Sequence, residues 1–246
     1  MNDKWLVVCD IDGTLLLPRE RNPGLEEFYR FIESRRDRIV FVLNSGRGLE
    51  EIAEVAERGP IPKPDWLVCG VGTELYADFD PASYDREWES YMKREWAREE
   101  IREALAQTEG LQEQEAWLQH NAKLSYYLDG DIPSVLAELD RKTKPWEGSF
   151  KRLTCLGLYL DILPLWGGKG GPILFLAERL GIPESRIIAA GDSGNDRDML
   201  DRGFNTIIVA NHSEEIRDLV GRDGVHLASK PAAAGVLEGL TRFGLR

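Results

Sequence analysis

Asp10 and Asp12 stand two residues apart where the apolar run Leu6-Val7-Val8-Cys9 gives way to a Gly13-Thr14 turn. Side chains alternate along a strand, so the two acids lean to one side while Ile11 points to the other. Carboxylates held that close repel unless a cation or a shared proton relieves them. A divalent metal site with one carboxylate free for chemistry is the economical reading. Taken alone, the same residues also make an ordinary acidic turn in which Gly13 supplies a positive φ.

Three further segments carry groups of matching chemistry. Asn44-Ser45-Gly46-Arg47 follows the apolar residues 39–43. A hydroxyl and a glycine amide opening a helix can hold a phosphate oxygen, although for this segment alone an ordinary serine N-cap is the better account. Gly167-Gly168-Lys169-Gly170-Gly171 sets one ammonium among glycines that let the backbone approach a ligand. Lys169 could offset a carboxylate cluster and hold a phosphate; the spacing is not that of a Walker A loop. Gly191-Asp192-Ser193-Gly194-Asn195-Asp196 brings two more acids behind another apolar run. Oxygen-rich donors of this kind suit Mg²⁺. An EF-hand is excluded, because no Glu stands twelfth from Asp192.

These groups converge only if the backbone delivers them to one edge. Residues 5–10, 39–44, 66–69, 186–190, 206–210 and 225–227 read as short strands. Residues 24–36, 48–58, 170–180, 194–202, 213–220 and 233–243 read as helices. Unalternated apolar strands separated by helices predict an α/β fold with a parallel, Rossmann-like sheet flanked by helices. Such sheets bind ligands at the C-terminal ends of their strands, where Asp10, Asp12, Ser45 and Asp192 fall. The middle of the chain differs. Residues 84–107 suit one long amphipathic helix, 123–129 alternate like a half-covered strand, 133–142 read as a helix and 153–163 as one or two strands. The expected division is a core over 1–79 and 162–246, with an inserted α+β cap over 80–161. Trp88, Trp96, Trp117 and Trp146 are assigned to packing in that insert.

The 246 residues carry 43 acidic and 31 basic side chains, net −12. That balance disfavours nucleic acid and anionic membranes as partners, and any phosphate site must be locally positive. Cys9, Cys69 and Cys155 each sit in an apolar run and read as buried thiols. His120, His212 and His226 lack the spacing of a zinc site. Neither a signal segment nor an apolar stretch of membrane-spanning length is present, so a cytoplasmic, soluble protein is expected.

In this order, DIDGTLL, LNSGR, a lysine and GDSGND resemble the motif series of the haloacid dehalogenase-like phosphatases. Within that group, Val71-Gly72-Thr73-Glu74-Leu75-Tyr76, Lys123-Leu124-Ser125-Tyr126-Tyr127-Leu128-Asp129, Leu160-Asp161-Ile162-Leu163-Pro164 and Ala234-Gly235-Val236-Leu237-Glu238 resemble the sucrose-phosphate phosphatases. Two departures stand out. Tyr127 occupies a place where that pattern leads one to expect histidine, and Leu165-Trp166-Gly167-Gly168 replaces a more polar run.

The resemblance implies a phosphatase acting on a sugar phosphate, most simply a disaccharide phosphate, through an aspartyl-phosphate. Asp10 would be the nucleophile and Asp12 the acid and base. Mg²⁺ would be bound by Asp10, the backbone carbonyl of Asp12, Asp192 and Asp196. Ser45, Gly46, Lys169 and Asn195 would hold the phosphoryl oxygens, with Lys169 also paired to Asp10. Glu74, Lys123, Tyr127 and Asp161 are the candidates for sugar hydroxyls. The expected partner is the sugar phosphate, with a monomeric protein and an open question of docking on a glycosyltransferase that makes the substrate. Competing readings are a phosphotransferase or mutase using the same aspartyl-phosphate, and a catalytically silent sugar-phosphate-binding subunit.

Overall fold

A computed structural model of the chain describes residues 3–18, 22–57, 59–155 and 157–245, apart from the side chains of Trp117 and Cys155. The first half of the main sheet comes from β1 (Trp5–Cys9), β2 (Ile39–Asn44), β3 (Trp66–Cys69) and β4 (Glu74–Tyr76), with helices α1 (Leu25–Glu33) and α2 (Leu49–Glu57) between them. Next come α3 (Arg86–Met92), α4 (Arg98–Leu105), β5 (Leu111–Glu113), β6 (Leu124–Leu128), α5 (Ile132–Thr143), β7 (Phe150–Cys155) and β8 (Tyr159–Pro164). The chain then returns through α6 (Gly171–Leu180), β9 (Ile187–Gly191), α7 (Arg197–Leu200), β10 (Asn205–Ile208), β11 (Val225–Leu227) and α8 (Ala232–Arg242). By compactness it divides into one unit of Met1–Asp85 with Gly168–Arg246 and a second of Arg86–Gly167.

The first unit is built on a seven-stranded sheet ordered β11-β10-β9-β1-β2-β3-β4. All its pairings are parallel except β3 with β4. All six residues of β2 are buried, which is why the strand reads as a continuous apolar run. Helix α1 turns Leu25, Phe28 and Ile32 inward at helical spacing. Phe28 meets Phe41 of β2 edge-on, with ring centroids 5.6 Å apart. From β1 the chain winds to one side through β2 and β3, and later to the other through β9 and β10. The tip of β1 therefore lies at a topological switch point, where a crevice opens beyond the strand ends.

The second unit has a four-stranded antiparallel sheet, β5-β6-β8-β7. Alternation sends Leu124, Tyr126, Leu128, Leu160 and Ile162 into a core with Ile101, Leu105, Val135 and Leu139 of α4 and α5. Ser125, Tyr127, Tyr159 and Asp161 point to the other face; Ser125 pairs with Asp161 and Tyr127 with Tyr159 across the strands.

Some elements differ from the sequence reading. The single helix expected over 84–107 is two, broken where Glu95 takes a φ of 63°. The Trp96 indole N–H donates to the carbonyl of Asn121 at 3.0 Å, a tertiary tie that competes with a continuing helix. Residues 153–163 fall in two strands, as the reading of one or two allows, while the short strands β4 and β5 have no counterpart in it. The helix expected over 213–220 is a 3₁₀ run, Glu214–Leu219. Its buried residues, Ile216 and Leu219, are three apart, which a three-residue turn brings into line. Cys9 and Cys69 are free and buried, as read. Among the described residues, no helix is long and apolar enough to cross a membrane.

Candidate active site

Asp10 follows directly on β1, and its N–H donates to the carbonyl of Ala190 on β9 at 3.0 Å. The residue is 3 % exposed. Lys169, fully buried, places Nζ 2.6 Å from Asp10 Oδ1 and 2.6 Å from Asp196 Oδ1. The other oxygen of Asp196 accepts from the N–H groups of Asp192 (2.9 Å) and Ser193 (3.1 Å). Asp196 thus has both oxygens engaged in holding the loop and the lysine. Asp192 Oδ1 accepts from the Thr14 hydroxyl at 2.9 Å. Ligand atoms of Asp10, Asp192 and Asp196 all lie within 4.8 Å of one another.

Gly13 makes that approach feasible. Its φ is +88°, and a Cβ there would fall 2.3 Å from Asp192 Oδ2. The glycine is required for both conformation and space.

The cluster holds one ammonium against three carboxylates, nearly out of water. Burial pushes Asp10 up to about 8, helped by the charge of Asp196 and opposed by Lys169. Burial, then Asp196, pushes Asp192 up to about 6. Burial works against the Lys169 ammonium, yet the pull of Asp10 and Asp196 outweighs it and raises the lysine above its usual range. The sign for stability follows. Asp10 and Asp192 keep protons to higher pH when folded than when unfolded. Without metal, their contribution to stability therefore falls as pH rises from about 4 to about 8. Melting curves of metal-free protein are expected to show this decline, and MgCl₂ should raise Tm more at pH 8 than at pH 5. An equal Mg²⁺ effect at the two pH values would count against these carboxylates as its site.

Asp12 behaves differently from the sequence picture of two repelling acids. Its side chain is about half exposed, and its oxygens accept from Arg47 Nε (2.6 Å) and Nη2 (2.8 Å). The charges that crowd Asp10 belong to Asp196 and Asp192 instead. Asp10 and Asp12 nevertheless line one cavity of about 320 Å³ with Ser45, Gly46, Arg47, Glu51 and Asn195. Ser45 Oγ accepts from the Arg47 N–H at 3.2 Å, and Asn195 Oδ1 accepts from the Ser193 hydroxyl at 2.9 Å. The loop is braced from beneath by the turn Gly70–Gly72, whose Val71 holds φ 57° and whose N–H donates to the Ser45 carbonyl at 3.2 Å. A β-branched residue with positive φ is strained.

Arg47, Glu51 and Thr14 were not among the assigned site residues. The bidentate Arg47–Asp12 pair had one signal, an arginine closing the LNSGR segment. The Thr14–Asp192 bond, spanning 178 residues, had none.

Of the sugar candidates, Lys123 and Asp161 meet in the second unit. Lys123 Nζ lies 3.8 Å from Asp161 Oδ1, and the Ser125 hydroxyl donates to the same oxygen at 2.6 Å. Tyr127 shares their face of the sheet but donates its hydroxyl to Glu115 at 2.8 Å. Glu74 is on β4 in the first unit, where it accepts from the Tyr76 hydroxyl at 3.2 Å.

Known proteins match this chain along nearly all its length. The model of the sucrose-6F-phosphate phosphohydrolase family matches residues 3–244. Mannosylfructose-phosphate phosphatase of Agrobacterium fabrum is 28% identical over 243 residues, covering 98% of this chain and 97% of that protein. Sucrose-phosphatase 1 of Nicotiana tabacum is 28% identical over 98% of this chain, which spans 60% of the tobacco protein. The structure of the sucrose-phosphatase from Synechocystis sp. PCC6803, in complex with sucrose and phosphate, superposes with a TM-score of 0.86 at 26% identity, covering 99% of this chain and 98% of that one. With strand order, motif residues and whole-chain match in agreement, the chain belongs to the sucrose-6F-phosphate phosphohydrolase family, phosphoric monoester hydrolases of the haloacid dehalogenase-like fold.

Proposed function

We propose that this protein is a Mg²⁺-dependent phosphatase of a disaccharide phosphate, sucrose 6-phosphate or mannosylfructose phosphate being the nearest candidates, working through an aspartyl-phosphate. The observation that carries this reading is Asp10, a buried carboxylate held 2.6 Å from Lys169 at the floor of a cavity rimmed by Ser45, Gly46 and Asn195.

The donor set fits magnesium. It consists of carboxylate oxygens, hard ligands that suit this ion. Asp10 and Asp192 would hold it with the backbone carbonyl of Asp12. Asp196, its oxygens occupied by Lys169 and two backbone N–H groups, would act on the ion through water. Bound there, Mg²⁺ supplies positive charge that favours ionised Asp10 and Asp192 and offsets the phosphoryl oxygens.

Asp10 attacks phosphorus in line, and the bond from phosphorus to the sugar oxygen breaks. Asp12 gives its proton to that leaving oxygen, then takes one from the water that attacks the aspartyl-phosphate and frees inorganic phosphate. Arg47 sets the orientation of Asp12. Ser45, Gly46, Lys169 and Asn195 hold the phosphoryl oxygens. In this reading the second unit is the specificity cap, with Lys123, Tyr127 and Asp161 its candidates for sugar hydroxyls; Glu74 is the candidate of the first unit. We place the enzyme in the cytoplasm, working as a monomer and open to docking on the glycosyltransferase that makes its substrate.

The deciding experiment is Mg²⁺-dependent phosphate release across a panel of sucrose 6-phosphate, mannosylfructose phosphate, trehalose 6-phosphate and hexose monophosphates. One disaccharide phosphate is expected to exceed the monophosphates in kcat/KM by at least about 100-fold, since a site built for specific hydroxyls is left with unpaired polar groups by a smaller sugar. A flat profile would reject the disaccharide assignment. Phosphate moved to a second sugar, with none released, would favour a phosphotransferase.

A further inference from the structure

Lys169 is held by more than its ion pairs. The peptide joining Lys169 to Gly170 is gripped on both its polar atoms. The carbonyl of Lys169 accepts from Asn44 Nδ2 at 2.8 Å, and the N–H of Gly170 donates to Asp198 Oδ2 at 2.7 Å. Asn44 ends β2, a strand otherwise made of Ile39, Val40, Phe41, Val42 and Leu43. It is fully buried, yet its own Oδ1 has no hydrogen-bond partner among the described residues. A buried polar atom left unpaired costs free energy that an apolar residue would avoid. The amide orientation is fixed by its neighbours: turned over, it would set oxygen against the Lys169 carbonyl. The second amide hydrogen faces Met199 Sδ at 3.7 Å. Asp198 is itself braced, its Oδ1 accepting from Arg202 Nη2 at 3.0 Å. Gly168, next to Lys169, is confined as well: a Cβ on Gly72 of the turn Gly70–Gly72 would fall 2.0 Å from its carbonyl oxygen, so the backbone has little room to shift.

We infer that Asn44 and Asp198 are positioning residues that clamp the 169–170 peptide and so aim the Lys169 ammonium at the reacting phosphoryl group. The inference rests on the proposed role of Lys169. A four-carbon side chain turns a small tilt of its backbone into a displacement of about 1 Å at Nζ, and misplacement of that size can cost about 100-fold in rate.

The test is steady-state kinetics on Asn44→Ala, Asp198→Ala, the double variant and Asp198→Asn, using the preferred substrate of the panel. The readout that a merely structural role would not move is the split between kcat and KM, with amine labelling of Lys169 followed by mass spectrometry. Each alanine variant is expected to lose about 10- to 100-fold in kcat, with KM within about threefold of wild type. Lys169, fully buried in the parent, should label faster. Because both residues hold one peptide, the double variant should fall no more than about threefold below the worse single. Asp198→Asn keeps an acceptor for the Gly170 N–H and should stay within about fivefold of wild type. Folded variants with unchanged kcat, or a double variant whose loss is the product of the singles, would overturn the clamp. If Asn44→Ala does not fold, the contrast between Asp198→Ala and Asp198→Asn decides. Lys169→Met, assayed beside them, separates the two readings. If it is active, the role of Lys169 fails; if it is dead while the clamp variants match wild type, only the clamp fails.

Discussion

Asp10→Asn is expected to lower kcat by at least about 10⁴-fold, the scale seen when a covalent nucleophile is removed from an otherwise complete site. The fold should survive and even gain. The amide keeps an acceptor for Lys169 Nζ, now 2.6 Å from Asp10 Oδ1. It also removes a charge that Asp196 and Asp192 repel. Tm in metal-free buffer should therefore rise at pH 8 while activity vanishes, a combination that misfolding cannot produce. Acid quenching with labelled substrate should trap phosphoprotein in the parent and none in the variant. A purified variant retaining a tenth of the parental kcat, with contaminating phosphatase removed, would dismiss Asp10 as nucleophile.

Lys169→Met is expected to damage stability and rate together. It leaves Asp10, Asp192 and Asp196 buried or half-buried with no ammonium among them. Removing one partner of a buried charge group costs about 3–5 kcal/mol, roughly 10 °C in Tm for a chain of this size. Protonation of Asp10 relieves part of that loss, so the deficit should shrink from pH 8 toward pH 5. Saturating Mg²⁺ should recover part of it by binding the folded state. The rate should fall at least about 10³-fold, since in the proposed mechanism Lys169, paired with Asp10, also holds the phosphoryl oxygens. A variant as stable as the parent at pH 8 in metal-free buffer would show that the lysine does not compensate the cluster.

The sequence made the core of the fold legible where physics is local. Unbroken apolar runs gave β1, β2, β3 and β9, and the acids that end them were located by alternation and by the rule that ligands gather at strand tips. Asp10, Lys169, Asp192 and Asp196 do come together. Lost to the sequence was whatever depends on side-chain direction at long range. Nothing in the spacing of Asp10 and Asp12 says that one is buried on a lysine and the other turned out to Arg47. The edge strands β4 and β5, three residues each, are too short to show a period. The long helix over 84–107 was overread because charge density and two tryptophans mimic one amphipathic face, while the chain turns at Glu95.

The central position of β1 sets the order in which a growing chain can be completed. Its partner on one side, β2, leaves the ribosome soon after it, followed by β3 and β4; its partner on the other, β9, follows only after the whole of Arg86–Gly167. At translation rates of about 5–20 residues per second, that edge of β1 waits roughly ten seconds or more without its strand. The second unit is continuous in sequence and need not wait for the first to close. Until β9 docks, Leu6, Val7 and Val8 line an unpaired apolar edge, a template for wrong pairing. Lys169 and the GDSGND loop arrive with the same late segment. Catalytic competence and protection from aggregation are therefore acquired in one event, and a stalled chain ending before that segment exposes the edge without any of the chemistry.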